Sequence, residues 1–122
     1  SVKHHALLTN PSTAPMAVIG AGTMGRGIAL VLLKAGYPVF LVDVNAAALE
    51  QGMQFLLATI TKMQKRVQIP PVKAREMLNR LKSTQQLTDL SACQLVVEAV
   101  VEKMVIKRKI FQSLDKILPG IS

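Results

Sequence analysis

Gly20, Gly22, Gly25 and Asp43 are the residues of this 122-residue chain whose types and spacing could do chemistry. The glycines form a G-x-G-x-x-G, Gly20-Ala21-Gly22-Thr23-Met24-Gly25, and Asp43 follows Gly20 by 23 positions. Glycine at the first position permits a sharp exit from a strand. At the second it lets a pyrophosphate approach the backbone, and at the third it lets a helix pack closely on the strand. The unpaired N–H groups of that helix's first turn, with the positive end of its dipole, then face the phosphate. Asp43 is placed to accept hydrogen bonds from the ribose hydroxyls of an adenosine. A 2′-phosphate would meet like charge there, and Val44-Asn45 offers no arginine to receive it, so the pattern points to NAD and away from NADP.

The elements around these residues must put them there. Met16 to Ile19 is a short apolar run that ends at the glycines. Helical spacing follows from Ile28 to Lys34, Gly36 is a natural stop, and Val39 to Val42 is a second strand with Asp43 at its tip. Asn45 is a good N-cap for a long helix through about Val67. Its apolar residues Leu49, Met53, Leu56, Ile60, Met63 and Val67 form a buried stripe, and Pro70-Pro71 stops it. A shorter helix, roughly Val72 to Arg80, precedes a weak strand at about Leu81 to Thr84. A turn around Thr88 to Ala92 leads to the strand Leu95 to Val100. Glu98 interrupts that strand, either as a wet acid facing the crevice or as a ligand or structural hydrogen-bonding group. A last helix, about Val105 to Leu118, is expected to bury Ile106, Ile110, Leu114 and Ile117, with Pro119-Gly120 ending it.

Strands alternating with helices predict an α/β fold, a Rossmann-type doubly wound parallel sheet. Right-handed crossovers give it the order 3-2-1-4, with a helical excursion after the second strand. Residues 1–14 are expected to be a leader or linker and 15–122 an incomplete NAD-binding domain, part of a larger protein. Leu95 to Val100 would then be an uncovered edge, prone to pairing with another copy.

Half of the residues are apolar but only 3% are aromatic, so the core is aliphatic and sufficient for one domain. The single cysteine, Cys93, cannot form an internal disulfide and suggests a reducing compartment. No signal peptide and no stretch of the roughly 18–20 apolar residues of a membrane span is visible. A soluble protein of the cytoplasm, or of the mitochondrial matrix in a eukaryote, is expected. The net charge of +8 raises nucleic acid as a partner, but the basic residues lack interleaved aromatics and no nucleic-acid motif is present. Solvated helix faces, or a field attracting phosphorylated ligands such as a dinucleotide and coenzyme A, fit better. His4 and His5 lack partner ligands at useful spacing, so no metal site is expected.

Two segments together, Val18-Ile19-Gly20-Ala21-Gly22-Thr23-Met24-Gly25-Arg26-Gly27-Ile28-Ala29 and Val96-Val97-Glu98-Ala99-Val100-Val101-Glu102-Lys103, closely resemble the L-3-hydroxyacyl-CoA dehydrogenase family. The continuation to Lys107 and Leu114-Asp115-Lys116 fits as well. The resemblance implies oxidation of the 3-hydroxyl of an acyl-CoA to a ketone with NAD, in fatty-acid β-oxidation or related pathways. By position it puts Gly20, Gly22, Thr23 and Met24 along the pyrophosphate and Asp43 on the adenosine ribose. It puts Ala99, Glu102 and Lys107 near the nicotinamide ribose and carboxamide. Thr59 and Arg66 match positions resembling contacts to coenzyme A phosphates. Seven apart, they share one edge of the long helix; the alternative is two ordinary surface residues.

The departure from the family is large. Its proton-transferring His–Glu pair and the Ser and Asn that hold the substrate oxygen all lie downstream of Ser122. His4 and His5 match neither, and Ser122 comes too early, so no catalytic residue is expected in this chain. The helical domain that carries dimerisation and covers the acyl chain is also absent, and a hydratase domain upstream is one possible parent architecture. Two functions follow: the NAD-binding portion of a dehydrogenase that is homodimeric at full length, or a non-catalytic, crystallin-like relative.

Overall fold

Four short runs make the parallel part of the sheet: the largely apolar β1 (Met16–Ile19), β2 (Val39–Val42) and β4 (Leu95–Val100), and β3 (Leu81–Thr84), in which only Leu81 and Thr84 are buried. The structure, a computed structural model, describes residues 14–100 and the backbone of 103–108. His4, His5, Glu102, Ser122 and positions 109–118 of the expected last helix lie outside the described residues. The strand order is β3-β2-β1-β4 followed by β5 (Lys103–Arg108), with the first four mutually parallel. The expected order 3-2-1-4 is therefore present. It follows from right-handed crossovers running outward from β1 in both directions.

Among the described residues three α-helices, α1 (Thr23–Lys34), α2 (Ala46–Lys65) and α3 (Pro71–Arg80), connect β1 to β2 and β2 to β3, and a short 3₁₀ turn, Leu87–Leu90, connects β3 to β4. α1 ends as its sequence suggests. Gly36 adopts φ +104°, and the N–H groups of Gly36 and Tyr37 donate to Leu33 and Leu32 oxygens at 3.1 Å each. Two basic side chains of α3 also donate to carbonyls there: Lys73 Nζ to Lys34 O and Arg80 Nη2 to Leu33 O, both at 3.0 Å, so that Leu33 O accepts twice. Cations at that end also oppose the negative pole of the helix dipole.

α2 begins where Asn45 Oδ1 accepts from Ala48 N at 2.9 Å. Leu49, Leu56 and Ile60 are buried and Met53 and Met63 half-buried, but Val67, expected to complete the stripe, is 86% exposed. The helix has already ended at that point. Val67 sits at φ +57°, its N–H donates to Gln64 O at 3.0 Å, and Gln68 N donates to Met63 O at 2.8 Å. This pair of bonds closes the last turn and reverses the chain. Pro70-Pro71 therefore does not stop α2; it opens α3, with Pro70 as N-cap and Pro71 at the first position, where a missing N–H costs nothing.

A second correction concerns the C-terminal region. Residues 103–108 are a strand and not the start of the helix expected from Val105. All six residues of β5 pair antiparallel with β4, from Val100↔Lys103 to Leu95↔Arg108. The physical reason is the edge itself: β4 alone would present a row of unpaired backbone groups. The next segment, with β-branched Val105 and Ile106, meets them. The uncovered edge expected at Leu95 to Val100 is thus covered.

The larger core cluster lies on the side of the sheet that carries the helices. There Val18, Leu41, Val97 and Ala99 of the sheet meet Ala29, Leu33, Leu49, Leu56, Ile60 and Met77 of the helices. On the opposite face a smaller cluster gathers Ala17, Val42, Leu90, Cys93 and Val96. Burial of this aliphatic surface, about 25 cal/mol per Å², holds β1 and α1 in the fixed relation that the glycine turn needs.

Candidate dinucleotide site

The turn between β1 and α1 is where the two glycine constraints become visible. Gly20 has φ +108°, a left-handed conformation that an L side chain rarely adopts, and its N–H donates to Val42 O at 2.7 Å. Gly25, in the first turn of α1, is fully packed: an added Cβ would lie 1.7 Å from Gly20 O and 3.4 Å from Val18 Cγ1. Gly22 differs on both counts. As N-cap it has φ −77° and ψ −167°, open to any residue, and an added Cβ would meet nothing within 4 Å.

No side chain caps α1 and no acid occupies its first turn. Among the described residues, the N–H groups of Gly22, Thr23 and Met24 have no protein acceptor. The helix terminus therefore presents free donors and a positive dipole end beside a gap at Gly22, an arrangement suited to an anion.

Asp43 closes the other side. At the end of β2, its Oδ2 accepts from Ala21 N at 3.0 Å and its Oδ1 from Asn45 N at 2.9 Å. Each carboxylate oxygen keeps acceptor capacity for a further donor. The structure thus brings Gly20, Gly22, Thr23, Met24, Gly25 and Asp43 together at the carboxyl ends of β1 and β2.

The remaining residues of interest are spread out. Ala99 is buried in β4. Glu98 is half-buried and level with Ile19, the last residue of β1. Val97 and Ala99 belong to the helix-side core, so by alternation Glu98 points to the other face. Lys107 lies on β5 opposite Val96, near the start of β4, which puts its backbone at the end of the sheet away from the glycine turn. Glu102 lies outside the described residues. Thr59 is half-buried on α2 and Arg66 is its exposed C-cap, about 10 Å apart along the axis. Among the described residues no group of three potential metal ligands exists, and no helix is long and apolar enough to cross a membrane.

Two contributors escaped the motif reading. Gly52, on α2, has no room for a side chain: a Cβ would lie 2.9 Å from Ala21 Cβ and Leu41 Cδ2 and 3.0 Å from Ala21 O. It seats α2 against the turn. A glycine inside a helix costs about 1 kcal/mol against alanine, and that cost was the available signal. Arg26 is the other; its Nε donates to Ala21 O at 2.9 Å.

Residues 15–121 match the family described as 3-hydroxyacyl-CoA dehydrogenase, NAD binding domain. The chain belongs to this family. As a 3-hydroxyacyl-CoA dehydrogenase NAD-binding domain it is 40% identical over 101 residues to a 3-hydroxybutyryl-CoA dehydrogenase of Bradyrhizobium diazoefficiens, covering 83% of this chain and 34% of that protein. It is 36% identical over 104 residues to a peroxisomal fatty acid beta-oxidation multifunctional protein of Oryza sativa, covering 85% of this chain and 14% of that one. Among solved structures, 3-hydroxybutyryl-CoA dehydrogenase of Escherichia coli superposes with a TM-score of 0.70 at 34% identity, over 74% of this chain and 19% of that one. That of Ralstonia eutropha gives 0.67 at 29%, over 88% and 35%. The chain thus spans about a third or less of the proteins it matches. The family is NAD-dependent, and the domain's cofactor is NAD.

Proposed function

We propose that this chain supplies the NAD-holding part of a dehydrogenase that oxidises L-3-hydroxyacyl-CoA to the 3-oxoacyl form, in fatty-acid metabolism. One observation carries the reading: at Gly22 neither backbone conformation nor packing calls for a glycine, yet the open space lies beside unpaired helix-terminal donors and the Asp43 carboxylate. The residues present fit the cofactor. Gly22, Thr23 and Met24 would hold the pyrophosphate by backbone N–H groups, and Asp43 the adenosine ribose hydroxyls. Ala99, Glu102 and Lys107 are proposed on the nicotinamide side by family position; for Lys107 the register opposite Val96 argues against it. Thr59 and Arg66 are proposed toward coenzyme A. Bound NAD supplies a hydride acceptor.

The second half of the reading is that the 122 residues alone turn over no 3-hydroxyacyl-CoA. Removing the hydroxyl proton as hydride leaves calls for a positioned base with pKa near neutrality. No imidazole lies among the described residues, His4 and His5 being the only histidines. The base, the acyl-CoA cover and any dimer contact are proposed to reside in a longer parent, free-standing or multifunctional as several relatives are by name.

Cofactor choice tests the reading. A 2′-phosphate facing Asp43 loses charged hydrogen bonds of roughly 1.5–3 kcal/mol each. NADH should therefore bind about tenfold to a hundredfold tighter than NADPH in calorimetric titration of the chain. Equal affinities would sink the assignment of Asp43.

A further inference from the structure

Ala21, between the first two glycines of the turn, is completely buried and held on every side. Its N–H donates to Asp43 Oδ2 at 3.0 Å, and its carbonyl accepts from Arg26 Nε at 2.9 Å. Its methyl and its carbonyl oxygen line the space that a side chain at Gly52 of α2 would need. The trans peptide is planar, with its C=O and the following N–H pointing in opposite directions. Whatever fixes the Ala21 carbonyl therefore aims the N–H of Gly22, which has no protein acceptor among the described residues.

Arg26 is itself seated. Its guanidinium carbon lies 5.3 Å from the ring centroid of Phe55 on α2, within cation–π range. The arginine is half-buried and Phe55 is 43% exposed. Neither belongs to the glycine motif. Together they let a residue of the second turn of α1 reach back to the turn that starts the helix, using α2 as its support.

We propose that Arg26, resting on Phe55, is a positioning residue that aims the Gly22 amide at the pyrophosphate of the dinucleotide. The proposal rests on the NAD reading and deepens it. It differs from a purely structural tie between α1 and α2 in its consequence. A tie would show in stability, whereas an aiming role shows in the Gly22 amide and in cofactor affinity.

The test uses the 122-residue chain and its R26A, R26K and F55L variants, with F55L also made in the R26A background. NADH affinity is read by fluorescence, thermal midpoint by circular dichroism, and the Gly22 ¹⁵N resonance by NMR without ligand. R26A is expected to weaken NADH about tenfold, the scale of one hydrogen bond to a charged group. It should also shift the Gly22 resonance, because an amide nitrogen responds to the hydrogen bond on the preceding carbonyl, while the midpoint changes by no more than a few degrees. R26K keeps a cationic donor and should recover most of the affinity. F55L should weaken binding a few-fold only while Arg26 is present. Wild-type affinity in R26A, an unmoved Gly22 resonance, or R26K as weak as R26A would each overturn the proposal. If the parent chain binds no NADH, the cofactor reading fails first, and the Gly22 resonance still decides whether Arg26 aims that amide.

Discussion

At Gly25 an added Cβ would sit 1.7 Å from the Gly20 carbonyl oxygen, whereas at Gly22, in the same turn, it would meet no atom of the described residues within 4 Å. The first glycine is required by the protein's own packing: β1 and α1 touch through it. Nothing among the described residues requires the second, and its φ of −77° is ordinary for any residue. A glycine that the fold does not need marks space kept for something else. The contrast separates the part of the motif that builds the site from the part that serves it.

The largest expected effect comes from filling the packed glycine. Gly25→Ala drives a methyl into backbone, which cannot move aside as a flexible side chain would. We expect a loss on the order of 3 kcal/mol or more, and a fall in thermal midpoint above about 10 °C, with cofactor binding lost as a result of misplacement. Gly52→Ala is milder. Its Cβ would press on Ala21 and Leu41 at 2.9 Å, but alanine regains about 1 kcal/mol of helix propensity. A net loss of about 1 kcal/mol by chemical denaturation is expected. A Gly52→Ala chain as stable as the parent and with unchanged NADH affinity would show that α2 does not support the turn.

How far the sequence could take this follows from which interactions are local. The apolar runs Met16–Ile19, Val39–Val42 and Leu95–Val100 are legible because each strand is short, aliphatic and bounded by turn residues. The glycines and Asp43 are legible because the turn and both strand ends lie close in sequence. The end of α2 before Val67 is not legible because periodicity continues past the point where a helix ends, and the closing bonds to Met63 and Gln64 leave no mark in composition. The strand at 103–108 is not legible because Ile106 keeps a helical spacing with the residues after it, while the open edge of β4, a non-local fact, favours a strand. Gly52 and Arg26 carry no signature in the sequence because neither belongs to the glycine motif. Their partner, Ala21, lies on a different element from Gly52 and outside the helical spacing of Arg26.

The converse of Gly22 is Val67, a β-branched residue where a glycine would be at ease. At φ +57° and 86% exposed, it bears the steric cost of the left-handed region, roughly 1–2 kcal/mol, with little burial in return. Val67→Gly should raise stability by about 0.5–1 kcal/mol once glycine's extra freedom in the unfolded chain is subtracted. A rise of a few degrees in thermal midpoint with unchanged NADH affinity is the expected result. A fall would mean that Val67 makes a contact worth more than its strain.

The contrast between the two glycines is tested most directly by Gly22→Ala, with NADH titration and thermal melting on the same sample. The added methyl meets no atom of the described residues, and alanine is a somewhat poorer N-cap than glycine, so stability should change by no more than about 1 kcal/mol. NADH affinity should nevertheless fall by about a hundredfold or more, as the methyl occupies the space where a pyrophosphate approaches the backbone. A Gly22→Ala chain that folds like the parent and binds NADH equally well would contradict the account.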